Sequence, residues 1–207
     1  MDKGLNLSEM QTEAMKEVGN IGASHAATAL SEMVDQQVNL SVPDIEILSL
    51  DDFEKRITSG EDYINYELTL LGEFKSVIIL HFPNQTSKTL GSFLVFGTDQ
   101  PPKDADPEMI EMMDASIEEV SNILVSHAAD AFSSMLEFEM TPSVPTRING
   151  IKNSKRFQEL GDEIHPEAIL LNAVLSSENL KVDTEFYLVP FKSSVPKLLE
   201  KLGVADL

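Results

Sequence analysis

Polar and apolar positions divide this chain into helix-like and strand-like stretches that come in the same order twice. A long helix is predicted from about Ser8 to Asp35, capped by Ser8, and another from Pro107 to Phe138, with proline in its first turn. Methionines fall at helical spacings along both (Met10, Met15 and Met33; Met109, Met112, Met113 and Met135) and are expected to fill the core. Within Val38–Ser49 the stretch VNLSVPDIEIL alternates toward its end, as a half-buried strand does. A short polar helix, DDFEKRI, comes next. Strands near Tyr63–Leu71 and Ser76–Phe82 follow, with Gly72 in the turn between them. A helix from about Ser87 to Phe96 is stopped by Gly97. The second half repeats the order with a helical KNSKRFQEL, strands near Ala168–Leu175 and Thr184–Pro190, and a last helix from Val195 to Leu202. Adjacent strands joined by short turns make antiparallel pairs, so the expected class is α+β.

The likeness of the halves extends to identity. Shifted by 102 positions, Glu17 falls on Glu119, Asn20 on Asn122, His25 on His127 and Pro43 on Pro145. Between residues 17 and 33, 11 of 17 positions match their counterparts. The expectation is an internal duplication: a single domain over 1–207 made of a half at 1–100 and a half at 101–207, related by a pseudo-twofold axis. GTDQPPKDADPE, residues 97 to 108, has the composition of the loop between them. Each half has only about three strands and would cover its apolar face poorly alone.

Charge narrows the partners. The chain carries 35 acidic and 15 basic side chains, a net charge of -20. Such a surface repels phosphate backbones and anionic lipids, which argues against nucleic acid and membrane and favours a protein with a basic patch. Zero cysteines exclude disulfides and thiolate chemistry. No apolar run reaches the ~18 residues of a membrane helix. The opening residues, MDKGLNLSEMQTEA, lack a secretory pattern, so a cytoplasmic location is expected.

The repeated helix carries the candidate chemistry. Glu17 and Asn20, like Glu119 and Asn122, lie three apart and emerge ~60° from each other on a helix, one turn along. A carboxylate can grip a cation, and a neutral carboxamide can orient a water by donating and accepting hydrogen bonds. No phosphate-binding GxxxxGK[ST], no HExxH and no nucleophile elbow is present. Glu and Asn by themselves suit a reaction whose difficult parts lie on the substrate. Gly19 and Gly22 each cost about 1 kcal/mol in a helix interior, which implies a close approach there. His25 and His127 read as packed or hydrogen-bonded. Glu17 and His25 are eight apart and cannot share an ion without further ligands, so no metal site is expected.

At this point the sequence resembles the CheC-type phosphatases of chemotaxis. Their signature is a serine or aspartate, three residues, glutamate, two residues, asparagine, then 22 residues and a proline. Glu17, Asn20 and Pro43 fit that register, as do Glu119, Asn122 and Pro145, and KEVGNIGASHAATALS is similar to the family's helix. The leading position is Glu13 in the first copy and Ala115 in the second. The resemblance implies hydrolysis of the aspartyl phosphate of phospho-CheY. Asn20 or Asn122 would hold the attacking water, and Glu17 or Glu119 would pair with a lysine of CheY. It also implies no cofactor of the chain's own, with Mg2+ brought by CheY. The alternative that the resemblance implies is a non-enzymatic binding module that docks and restrains a second partner, the receptor deamidase CheD, for which Phe157 and Gln158 on KNSKRFQEL are the candidate contacts.

Overall fold

The computed structural model describes residues 5, 7–59, 63–178 and 181–202. Ser8 and Gln11 form a reciprocal capping box that opens helix α1 (Glu9–Val34), which Asp35 closes in the left-handed conformation at φ 51°. Strand β1 (Asn39–Ser49) leads to α2 (Leu50–Ile57), then the hairpin of β2 (Tyr63–Gly72) and β3 (Ser76–Pro83), then α3 (Asn84–Phe96). Helix α4 (Pro107–Leu136) opens on Asp106, whose carboxylate accepts from the Met109 N–H, and closes on Glu137 at φ 53°. Asp35 and Glu137 are themselves 102 apart, so the sequence repeat extends to the way each long helix ends.

After α4 come two three-residue strands, β4 (Met140–Pro142) and β5 (Thr146–Ile148). A 3-10 turn, helix α5 (Lys155–Leu160) and a second 3-10 turn precede β6 (Glu167–Ser176), β7 (Lys181–Pro190) and α6 (Val195–Lys201). The class is α+β, with one antiparallel sheet in the order β1-β6-β7-β3-β2-β4 and β5 beside β4 on the edge of β2. This order is unchanged when the halves of the chain are exchanged. Among the described residues β1 of the first half pairs only with β6 of the second, while β4 and β5 of the second pair with β2 of the first.

Period-two alternation sends the sheet's side chains to two cores. Leu68, Ile78, Leu80, Ile169, Leu171, Phe186 and Leu188 pack under α1 and α4. Val77, Ile79, Leu170, Tyr187 and Val189 face the other way, onto Phe53 and Ile57 of α2 and Ile151. Burial on both faces explains the almost unbroken apolar run of SVIILHF in β3. The methionines divide, contrary to the core-filling expectation: Met15 and Met113 are buried, but Met10, Met33, Met112 and Met135 are exposed. Helical spacing alone does not say which face a residue takes.

Candidate functional site

α1 and α4 cross where Gly22 faces Ala128, so close that a Cβ on Gly22 would lie 2.9 Å from the Ala128 Cα. Gly19 instead faces the sheet, and its Cβ would meet Leu171 Cδ2 at 3.1 Å. Both glycines are therefore explained by packing. His25 and His127 face each other across α1 and α4, edge to face, with ring centroids 6.4 Å apart. With the inner faces of both helices committed to each other and the sheet, Glu17 and Glu119 are left exposed on the outer faces. Each glutamate has its asparagine one turn further along.

The two asparagines differ. Pro43 has no N–H to give to the sheet, and β1 slips register between Ser41, opposite Val174, and Asp44, opposite Asn172. The Asn20 carboxamide meets both main-chain groups of Val42 at this bulge: Oδ1 accepts from the Val42 N–H at 2.9 Å, and Nδ2 donates to its carbonyl at 3.3 Å. Nδ2 also donates to the Lys16 carbonyl at 3.0 Å. The amide expected to hold a water is thus bonded to β1. In the second half Pro145 interrupts the strand altogether, leaving β4 and β5 as separate pieces. Val144, the counterpart of the buried Val42, is 80% exposed. Asn122 is half-buried and forms no side-chain hydrogen bond among the described residues.

The charges differ as well. Lys16 precedes Glu17 and lies 3.3 Å from Glu13 and 3.9 Å from Asp44. Its counterpart before Glu119 is Glu118, exposed and acidic, so the second face presents two adjacent carboxylates. Beside it Asp114 pairs with Arg147 at 2.8 Å, tying β5 to α4. The exposed Ala115 leaves that stripe uncharged where Glu13 stands in the first. Sequence spacing singles out the Glu and Asn positions as candidates but does not disclose the main chain of Val42 as a partner of Asn20. A proline inside an otherwise regular strand was the available signal.

Phe157 and Gln158 do not form one surface. Phe157 packs against the core beneath α2, whereas Gln158 is exposed and donates from Nε2 to the Lys152 carbonyl of the preceding 3-10 turn at 3.0 Å. Among the described residues no helix is long and apolar enough to cross a membrane.

A family model described as the CheC-like family matches residues 10–47 and again 112–148, one match on each Glu/Asn helix and the segment after it. The chain is 22% identical over 205 residues to the CheY-P phosphatase CheC of Bacillus subtilis, covering 96% of this chain and 97% of that protein. It is 26% identical over 179 residues to the flagellar motor switch phosphatase FliY of the same bacterium, covering 86% of this chain and 44% of FliY. Among solved structures, Thermotoga maritima FliY shares the fold with a TM-score of 0.72 at 18% identity, over 95% of this chain and 98% of that one. With that model matched once in each half, and a relative that spans nearly its whole length, the chain is similar to the CheC-like family in both of its halves.

Proposed function

We propose that this chain accelerates hydrolysis of the aspartyl phosphate of phospho-CheY, and that the Glu119–Asn122 face does most of the work. The observation that carries this reading is the unbonded carboxamide of Asn122 beside an exposed Glu119 on the outer face of α4. An acyl phosphate needs little chemical help, because its leaving group is a carboxylate that departs with its electron pair and no proton. The partner would bring Mg2+ and a lysine to neutralise the phosphoryl oxygens. What remains is to place a water in line with the phosphorus. The Asn122 amide can accept from that water or donate to it, leaving an oxygen lone pair aimed at phosphorus. The water oxygen bonds to phosphorus, the bond to the aspartyl oxygen breaks, and the water's proton leaves with inorganic phosphate or solvent. Glu119, reinforced by Glu118, would take the partner's lysine as a charge-assisted hydrogen bond that fixes the docking register.

The first face is the slower in this reading. Asn20 must release both Val42 groups before it can hold a water. At about 1 kcal/mol per bond, two bonds amount to about a thirtyfold handicap in rate. Phospho-CheY decay should therefore lose most of its acceleration with Asn122→Ala and little with Asn20→Ala. The Asn20 variant should instead lose about 1–2 kcal/mol of stability in urea unfolding, because the Val42 groups are left unpaired. Equal loss of activity in the two variants would overturn the inequality of the faces. A double variant that accelerates decay like wild type would overturn the phosphatase mechanism.

A further inference from the structure

We infer that Met10 and Met112 are apolar anchors on which the phosphorylated receiver protein docks, one for each Glu/Asn face. Met10 and Met112 are 102 apart, as are the glutamates and asparagines. Both are among the most exposed large apolar side chains of the described residues, at 67% and 53%. Each lies seven residues before its glutamate, which is two helical turns, or ~10 Å along the axis and ~20° around it. A single outward stripe therefore runs Met10, Glu13, Glu17, Asn20 on α1 and Met112, Ala115, Glu119, Asn122 on α4.

Scattered exposed apolar residues are ordinary on protein surfaces. A pair repeated at the spacing of the functional residues, in both halves, is a different observation. Met15 and Met113 in the same helical regions are buried, so neither helix lacks room for methionine in its core. The outward methionines stand among exposed carboxylates: Glu9 and Glu13 beside Met10, Glu108 and Glu111 beside Met112. That setting fits a partner with an apolar patch framed by basic side chains, next to the phosphorylated aspartate that the asparagine must reach. Methionine's unbranched thioether adapts its shape to such a patch. The stripe is continuous with the proposed reacting face, and the inference rests on the phosphatase reading of that face.

The test is steady-state dephosphorylation of phospho-CheY by the full chain and by Met10→Ala, Met112→Ala, the double alanine variant and the double leucine variant. The double alanine variant should raise KM about tenfold with kcat retained, as removal of a central apolar anchor does. Most of the rise should appear in Met112→Ala, and leucine at both positions should restore KM. An unchanged KM in the double alanine variant overturns the anchor. A fall in kcat at unchanged KM overturns it equally, because the side chains would then act on the reacting geometry. A wild-type chain with no effect on phospho-CheY decay would instead overturn the phosphatase reading, and the anchor with it.

Discussion

A carboxamide next to a proline bulge is drawn into the main chain. Pro43 removes a ladder donor, Val42 is left with both its N–H and its carbonyl to satisfy, and Asn20 supplies a donor and an acceptor at once. The proline that lies 23 residues after each asparagine thus has a structural meaning in the first half that spacing alone did not disclose. Asn122 escapes the same fate because Pro145 ends the pairing of its strand. His81 offers a separate test at this scale. It is buried in the sheet with Nδ1 2.7 Å from Asn65 Oδ1. Burial holds its pKa below the ordinary 6.5, against an opposing pull from Glu185 and with help from Arg56. Between that lowered value and 6.5 the unfolded chain binds more protons than the native one. The stability His81 confers is therefore present above the unfolded value and lost as pH falls through this window. Urea unfolding at about pH 7.5 and about pH 5.5 should show a smaller loss on acidification in His81→Gln than in wild type. An identical loss in both would show that His81 does not couple stability to protonation.

Between elements, the meeting of α1 and α4 sets how the two faces point. Gly22 was legible as a close approach because glycine inside a helix carries a cost that something must offset. That the neighbour is the backbone of α4 was not legible, since the counterpart of Gly22 is the buried Leu124 and the repeat therefore does not repeat the contact. Gly22→Val should force the helices apart and cost about 1–3 kcal/mol in urea unfolding. A variant as stable as wild type would mean that the crossing has slack. The opposite lesson comes from β1 and its counterpart. Similar residues around Pro43 and Pro145 form an 11-residue bulged strand in one half and two three-residue strands in the other. The first lies along β6, whereas the second lies along β2, where Ser143 bonds Thr69 through both its N–H and its hydroxyl.

For the molecule as a whole, the strand order makes the halves depend on each other. Among the described residues β1 finds its only strand partner in the second half, and the centre of the sheet is the β3–β7 pair, one strand from each. Residues 1–100 expressed alone should therefore give no cooperative unfolding transition in circular dichroism, and mixing with 101–207 should restore one. A cooperative transition in the first half alone would show that exchange of strands between the halves is not required for folding. The net charge of -20 also acts at this scale. It disfavours polyanions everywhere on the surface, but whether it assists docking depends on local placement, as with Glu118 where the first half has Lys16.

Local sequence determined the elements and the candidate pairs, because helical and strand periodicities, caps, and the three-residue spacing of Glu and Asn are properties of short stretches. The repeat at 102 positions likewise needed only the sequence. Tertiary structure decided which strands pair across the halves, which methionines turn outward, and which asparagine keeps its amide free. Those outcomes depend on groups far apart in the chain that compete for the same hydrogen bonds and the same buried surface, and no local pattern records who wins.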